Sequence, residues 1–265
     1  MRITILGCGG AGGVPLIGRR WGACDPENPR NKRRRVSILV TEGETTVLVD
    51  TSPDLRQQLL DADVGQIHAV LYTHDHADHL HGIDELRSIN RLRREPLDVY
   101  GDAKTLKVMT KRFGYVFDSP ENVPDEFAFY KPCLVPHEVA PGIPFSVGRM
   151  EILPFEQDHG FMKTLGFRIG DAAYSTDAVE LPESAFQALA GVKLWIVGCL
   201  RYEPHPTHAH LEKVLAWIDR VKPDRAVLTH MSVMLDYDEL NSRCPSGVEA
   251  AYDGMVLDTD AQDPG

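Results

Sequence analysis

The chain has few cysteines and lacks long apolar runs. Five cysteines occur among its 265 residues and none forms a C-x-x-C pair, which excludes a disulfide framework and a four-thiolate zinc site. We therefore expect a reducing, cytoplasmic location. No segment reaches the roughly 18 to 20 apolar residues of a membrane-spanning helix, and the amino-terminal "MRITILGCGG" lacks the apolar core of a signal peptide. The sequence thus predicts no membrane association.

Basic residues are in the minority. Lysine and arginine together number 28 against 39 acidic residues, which gives a formal net charge of -11. A field of that sign repels polyanions, so a nucleic-acid partner is not expected. The length suffices for a large core, and no repeat or linker interrupts it. We predict a single domain over residues 1–265, with a frayed tail at 255–265.

Short apolar runs alternate with segments of helical periodicity, which predicts an α/β fold. The predicted strands are 2–6, 36–40, 45–50, 67–72, 97–101, 133–139, 150–156, 164–170, 172–176, 194–200 and 226–230. The predicted helices begin near Pro53 and cover about Leu80 to Arg93, 103–113, 182–190, Thr207 to about Val221, and a short segment after Leu235. The acidic, proline-rich "FDSPENVPDEF" predicts a surface loop.

The glycine-rich "GCGGAGG" that follows the first strand satisfies the G-x-G-x-x-G pattern of dinucleotide-binding proteins. Val14 and Pro15 come next, where a helix should begin, and no later strand ends in a ribose-binding acid at the expected distance. We interpret the segment as a tight glycine turn.

The run "THDHADHLHG" (73–82) places five ionisable groups within six residues at the end of an apolar strand. A solvated loop or a helix cap would explain one or two of them. Metal binding explains the crowding better: His74 and His76 can reach one ion from an extended turn, while Asp78 and His79 reach a second ion from the start of a helix. Three more candidate ligands follow apolar strands, where a rigid scaffold ends in a loop: His159, Asp177 and His230.

With these residues the chain resembles the metallo-β-lactamase superfamily, whose H-x-H-x-D-H signature spans His74 to His79 here. The resemblance implies an αββα sandwich of two mixed sheets flanked by helices, and two divalent ions. Zinc and manganese suit a set of imidazole and carboxylate ligands, and iron is compatible with it. The resemblance assigns the ligands as follows: His74, His76 and His159 to the first ion, Asp78, His79 and His230 to the second, and Asp177 to both.

Within the superfamily, "GAGGVP", "WGACDPENPRNKRRR", "LTHMS" and "PSGVEAAYDGM" resemble the phosphodiesterases of the carbon–phosphorus lyase pathway. This implies a homodimeric enzyme that hydrolyses a phosphoribosyl 1,2-cyclic phosphate or another small, nucleotide-like ester. It also implies catalytic roles for Asp78 and for His208, the latter as general acid. Thr207 is the expected helix N-cap, which would place His208 in the first turn. The relatives' structural zinc site is not expected, because only Cys24 remains in the tryptophan loop and Val233 replaces a histidine.

Two basic runs allow two interpretations each. Arg87, Arg91 and Arg94 share one face of the predicted helix, so they could bind a substrate phosphate. The run "RNKRRR" (30–35) could do the same. Solvated charge that offsets the acidic remainder explains both runs equally well.

Three other functions fit parts of the pattern. A transfer-RNA 3′-processing ribonuclease would need a basic arm, which the net acidity disfavours. A glyoxalase II-like thioester hydrolase would carry an additional helical domain after His230, and a binding protein without catalytic activity would not need His208.

Overall fold

Two seven-stranded mixed sheets lie face to face in the computed structural model, which describes residues 1–118 and 129–259. The strands of the first sheet, in spatial order, are β14 (Val256–Asp258), β1 (Arg2–Gly7), β2 (Ser37–Glu42), β3 (Thr45–Val49), β4 (Ala69–Leu71), β5 (Leu97–Gly101) and β6 (Leu134–Glu138). Those of the second are β13 (Val248–Ala250), β12 (Arg225–Thr229), β11 (Leu194–Gly198), β10 (Ala172–Ser175), β9 (Lys163–Ile169), β8 (Met150–Asp158) and β7 (Phe145–Val147). This architecture confirms the predicted αββα sandwich.

Helices cover the outer faces of the sheets. They are α1 (Leu55–Asp61), α2 (Ala77–Leu80), α3 (Leu86–Arg93), α4 (Ala103–Phe113), α5 (Glu183–Leu189), α6 (Leu211–Val221) and α7 (Tyr237–Arg243). Within residues 1–118 and 129–259, no helix combines the length and apolarity needed to cross a membrane.

The alternation of side chains along the strands divides the core into two layers. Val47 and Val49 of β3 join the cluster between the sheets, whereas Leu48 joins the cluster under the helices of the first sheet. Because successive side chains point to opposite faces, a strand apolar at every position is buried on both sides. The apolar part of β3, from Val47 to Val49, is therefore buried on both faces of the first sheet.

The parallel strands determine where the loops meet. Strands β3 to β6 pair in parallel in the first sheet, and β10 to β13 do so in the second. Loops at the carboxyl ends of parallel strands share one edge of a sheet, where α/β proteins place their sites. The polar residues after β3, β4, β10 and β12 are thereby brought together.

Two predicted boundaries are wrong. Met255 and Leu257 are buried, and β14 pairs with β1, so residues 255–258 of the predicted frayed tail are ordered. The helix predicted over Leu80 to Arg93 is interrupted at Gly82, where a Cβ atom would lie 2.0 Å from the carbonyl oxygen of Ser52. Most of the predicted loop 117–127, and the tail beyond Thr259, lie outside the described residues.

Candidate metal centre

The histidine run changes conformation directly after β4. Thr73 donates its backbone N–H to Oδ1 of Asp50 (2.8 Å), and the chain stays extended as far as His76, the N-cap of α2. The single turn of α2 then rotates Asp78 and His79 into the same space, and the side chain of His79 is fully buried. An extended segment followed at once by a helical turn is what lets four neighbouring side chains converge.

The seven residues predicted as ligands lie together at this edge of the sandwich. One ligand atom from each of His74, His76, His159 and Asp177 lies within 4.8 Å of the others. A second group, with the same spacing, consists of Asp78, His79 and His230. The structure thus brings together the residues that the sequence places on four separate segments.

Asp177 lies between the two groups. Its Oδ1 is 3.6 Å from Nε2 of His159 and 3.9 Å from Nε2 of His74. Its Oδ2 is 3.0 Å from Nε2 of His79 and 3.2 Å from Nε2 of His230. Each carboxylate oxygen therefore faces a different set of imidazoles, the arrangement that a bridging ligand requires.

Backbone strain marks the same place. Asp50, Asp177 and His230 have φ angles of 63°, 52° and 56°. A non-glycine residue in this left-handed region costs about 1–2 kcal/mol, and such residues cluster at functional sites. Asp50 directly follows β3, Asp177 lies in the loop after β10, and His230 directly follows β12. All three strained residues are therefore at the strand ends where the cluster forms.

Hydrogen bonds to the outer ring nitrogens orient the imidazoles. His79 donates from Nδ1 to Oδ2 of Asp50 (2.7 Å), and His159 donates from Nδ1 to the carbonyl oxygen of Thr207 (2.6 Å). The buried Nε2 atoms of His74, His79 and His230 have no hydrogen-bond partner in the described part of the chain. Orphaned ring nitrogens that face a common centre fit a metal site, and for His79 the opposite nitrogen is held by a carboxylate, as is common for metal-binding histidines.

The charges of the cluster suit a cation. Burial alone would raise the pKa of Asp177, but the imidazoles of His230 and His79 outweigh it and hold that pKa well below its usual range. The pKa of Asp78 is lowered in the same way, by His79 and His230 against the effect of burial. Burial lowers the pKa of His159 to about 4. The site therefore offers ionised carboxylates, and these carboxylates in turn raise the pKa values of His79 and His230 against the effect of burial. A cation bound there would take the place of the protons on those two imidazoles.

His208 also reaches the cluster, but not from a helix. Its Nε2 donates to Oδ1 of Asp177 (2.9 Å). Helix α6 begins at Leu211 with His210 as its N-cap, so the predicted N-cap at Thr207 is wrong. The reason is tertiary: Ala209 donates its N–H to the carbonyl oxygen of Ala178 (2.7 Å), which keeps this segment extended. The helix dipole therefore has no part in the chemistry of His208.

Two residues that support the cluster escaped the sequence analysis. Asp50 ends the apolar run "TTVLVD" in the way that His230 ends its own strand, and that shared signal could have identified it. The hydroxyl of Thr207 lies 2.8 Å from Nδ1 of His208 and 3.2 Å from Nδ1 of His205. Its carbonyl contact to His159 leaves no mark in a sequence, because every residue has a carbonyl.

The arginines of the first basic run contact residues other than the candidate ligands. Arg33 is buried, and its Nη1 donates to the carbonyl oxygen of Leu235 (2.7 Å) while it also contacts Sγ of Cys24 (3.8 Å). Arg34 and Arg35 pair with Asp61 and Asp54. The guanidinium of Arg33 thus joins the tryptophan loop to the segment that follows His230.

The second basic run lies on α3. Arg87 and Arg91 are exposed, and Arg91 donates from Nε to the carbonyl oxygen of Phe129 (2.8 Å). Arg94, at the end of the helix, is in the left-handed conformation. Phosphate binding by Arg87 and Arg91 stays a prediction.

Comparison with known proteins gives matches over most of the chain. A model of the beta-lactamase superfamily domain matches residues 45–231. An octanoyltransferase of Porphyromonas gingivalis is 34% identical over 259 residues, which are 96% of this chain and 51% of that protein. The chain spans about half the length of the curated relatives it matches first.

Solved structures match with greater coverage. A diphosphatase described as a new member of the PhnP family superposes with a TM-score of 0.87 and 32% identity, over 97% of both chains. Zinc-bound PqqB from Methylobacterium extorquens superposes with a TM-score of 0.76 over 97% of this chain and 100% of that one. Its identity is 21%, so this second match concerns the fold alone.

Proposed function

We propose, since this chain belongs to the beta-lactamase superfamily, that it is a metal-dependent hydrolase with two divalent ions that cleaves a small phosphate diester. A phosphoribosyl 1,2-cyclic phosphate is the substrate we favour, and other nucleotide-like esters are the nearest variants. The observation that carries the proposal is Asp177, whose two oxygens face two separate groups of imidazoles. The similarity to a diphosphatase of the PhnP family supports phosphate-ester chemistry.

The ligands of the two ions follow from the two groups. His74, His76, His159 and Oδ1 of Asp177 would hold the first ion. Asp78, His79, His230 and Oδ2 of Asp177 would hold the second. Nitrogen and oxygen donors without thiolate suit zinc or manganese, and iron is compatible with them. Two such ions, when bound, activate water and stabilise the negative charge on the phosphoryl oxygens.

The protein's own groups would handle the leaving oxygen. His208 presents Nε2 to the cluster at Oδ1 of Asp177, so the same N–H can protonate an oxygen that leaves from a phosphate held there. As the general acid, His208 would be in its imidazolium form, in which Nδ1 donates to the hydroxyl of Thr207 and Nε2 donates the proton to the leaving oxygen, so that a neutral imidazole remains. Asp78, whose Oδ2 is 3.3 Å from Nε2 of His79, would orient the attacking water as well as serve as a ligand.

We also infer the setting of this activity. The five thiols are free, which suits a reducing cytoplasm. The net charge of -11 favours a small ester over a polynucleotide. The resemblance to the phosphodiesterases of the carbon–phosphorus lyase pathway implies a homodimer. The name octanoyltransferase describes a relative about twice as long as the matched region, and acyl transfer is not part of the proposal.

The test combines metal analysis with turnover. Protein loaded with zinc or manganese should contain two ions per chain, and it should hydrolyse ribose 1,2-cyclic phosphate and thymidine 5′-p-nitrophenyl phosphate. Asp177→Ala should lose both the ions and the activity, because that carboxylate faces both groups. Hydrolysis of neither ester by protein with two ions bound would refute the proposal, and so would an Asp177→Ala variant with full metal content and full activity.

A further inference from the structure

Phe161 is a large apolar side chain that stays exposed beside the metal centre. It lies in the turn between β8 and β9, and 75% of its surface is accessible to solvent. Its ring centroid is 5.8 Å from that of His159 and 6.1 Å from that of His76, both candidate ligands of the first ion. A largely exposed phenyl ring therefore lies beside two candidate ligands of the first ion.

The turn that carries Phe161 is held in place by several contacts. His159 donates its N–H to the carbonyl oxygen of Met162 (2.9 Å), and Gly160 donates to Oδ1 of Asp158 (2.7 Å). Gly160 has a φ of 82°, and a Cβ atom there would lie 2.8 Å from the carbonyl oxygen of Pro206. The turn is thus packed against the loop that carries His208, and these contacts hold the backbone at Phe161 beside the cluster.

Single exposed apolar residues are common on protein surfaces, so exposure alone indicates nothing. Phe161 differs in its neighbours, because its ring contacts the rings of two candidate ligands. Ligand sites combine a few polar groups that fix orientation with apolar or aromatic walls that contact the rest of the ligand. Here the polar groups are the cluster, and the wall is a flat phenyl face.

We infer that Phe161 stacks on the planar base of a nucleotide-type substrate whose phosphate lies at the metal cluster. The inference rests on the proposed function and selects, among the substrates named there, the nucleotide-like esters, because a phosphoribosyl 1,2-cyclic phosphate carries no base. A base has an aromatic face that stacks on phenyl rings with little dependence on its identity. A nucleotide carries its base one sugar away from the phosphate, which matches a ring beside the cluster rather than within it.

The experiment compares two ligands that differ only in the base. Adenosine 5′-monophosphate and ribose 5-phosphate are titrated by calorimetry into metal-loaded protein, as wild type and as Phe161→Ala, Phe161→Tyr and Ile143→Ala. Ile143, 63% exposed in the connection between β6 and β7, provides the control for loss of an exposed apolar side chain. Circular dichroism and metal content establish that each variant is folded and loaded.

We expect wild type to bind the nucleotide about tenfold more tightly than the sugar phosphate. In Phe161→Ala the ratio should fall to near one, with little change in the affinity for ribose 5-phosphate, whereas Phe161→Tyr and Ile143→Ala should keep it. Equal affinities in wild type, or an unchanged ratio in Phe161→Ala, would overturn the inference. Because binding is measured without turnover, a protein that keeps the ratio but hydrolyses no ester would refute the proposed function and leave the stacking role in place.

Discussion

Removal of the Thr207 hydroxyl should slow the hydrolysis of esters with poor leaving groups. This hydroxyl lies 2.8 Å from Nδ1 of His208, whose Nε2 we assign as the proton donor. Valine has nearly the same shape as threonine and lacks the hydroxyl, and its carbonyl can still accept the hydrogen bond from His159. Thr207→Val therefore perturbs the orientation of His208 without removing a contact to a candidate ligand.

The magnitude follows from one partly buried hydrogen bond. Such a bond contributes about 1 kcal/mol, which corresponds to roughly a fivefold loss of the correctly oriented imidazole. We expect kcat to fall about fivefold for an alkyl phosphodiester, whose leaving oxygen needs a proton. For a p-nitrophenyl ester, kcat should change less than twofold, because its leaving group departs as an anion and needs no proton from a general acid.

The assay measures kcat and KM on both esters, with metal content determined on the same samples. Thr207→Ser retains a hydroxyl and serves as the control that should recover the wild-type ratio of the two rates. Equal slowing on both esters, or loss of metal from Thr207→Val, would show that the side chain supports the fold of the loop and does not orient His208.

Three other changes test separate parts of the site and fold. His208→Ala should keep both ions and lower kcat on the alkyl ester by about 10² to 10⁴-fold; an unchanged rate would remove His208 from the mechanism. Asp50→Asn weakens the hydrogen bond that Nδ1 of His79 donates, so competition with a chelator should show metal affinity lowered about 10 to 100-fold, and wild-type affinity would contradict the orienting role. Burial raises the pKa of Asp253 to about 6. The folded state thus holds a proton that the unfolded state releases at lower pH, and the resulting stabilisation is lost as pH rises through about 6. A pKa raised from 3.8 to about 6 corresponds to a contribution of about 3 kcal/mol. The difference in unfolding free energy between wild type and Asp253→Asn should change by that amount between pH 4 and pH 8, and a constant difference would refute the assignment.

The α/β class and the seven candidate ligands were accessible from local patterns, whereas the two-sheet sandwich was expected from the resemblance to the superfamily. The H-x-H-x-D-H spacing lies within one turn, and His159, Asp177 and His230 each follow an apolar strand or its loop, a signal that a single sequence carries. Their role as ligands stays a prediction that metal analysis tests.

The features that sequence reasoning missed depend on contacts between distant segments. Strand β14 forms by pairing with β1, which lies at the other end of the chain. The start of α6 is delayed by a hydrogen bond from Ala209 to Ala178, and local propensity cannot anticipate that bond. The predicted helix is interrupted at Gly82, whose N–H donates to the carbonyl oxygen of Thr51 and whose lack of a Cβ atom leaves room for the carbonyl of Ser52. Periodicity describes a segment by itself, whereas these boundaries are set by neighbours.

The buried guanidinium of Arg33 holds the loop next to His230 by a hydrogen bond that does not require a bound metal ion. A guanidinium neither dissociates into a chelator nor oxidises as a zinc-bound thiolate does. A chelator that removed ions from the proposed metal centre would therefore leave the contacts among Cys24, Arg33 and Leu235 in place. We expect one bound metal to be exchangeable for another without a change in the shape of this loop.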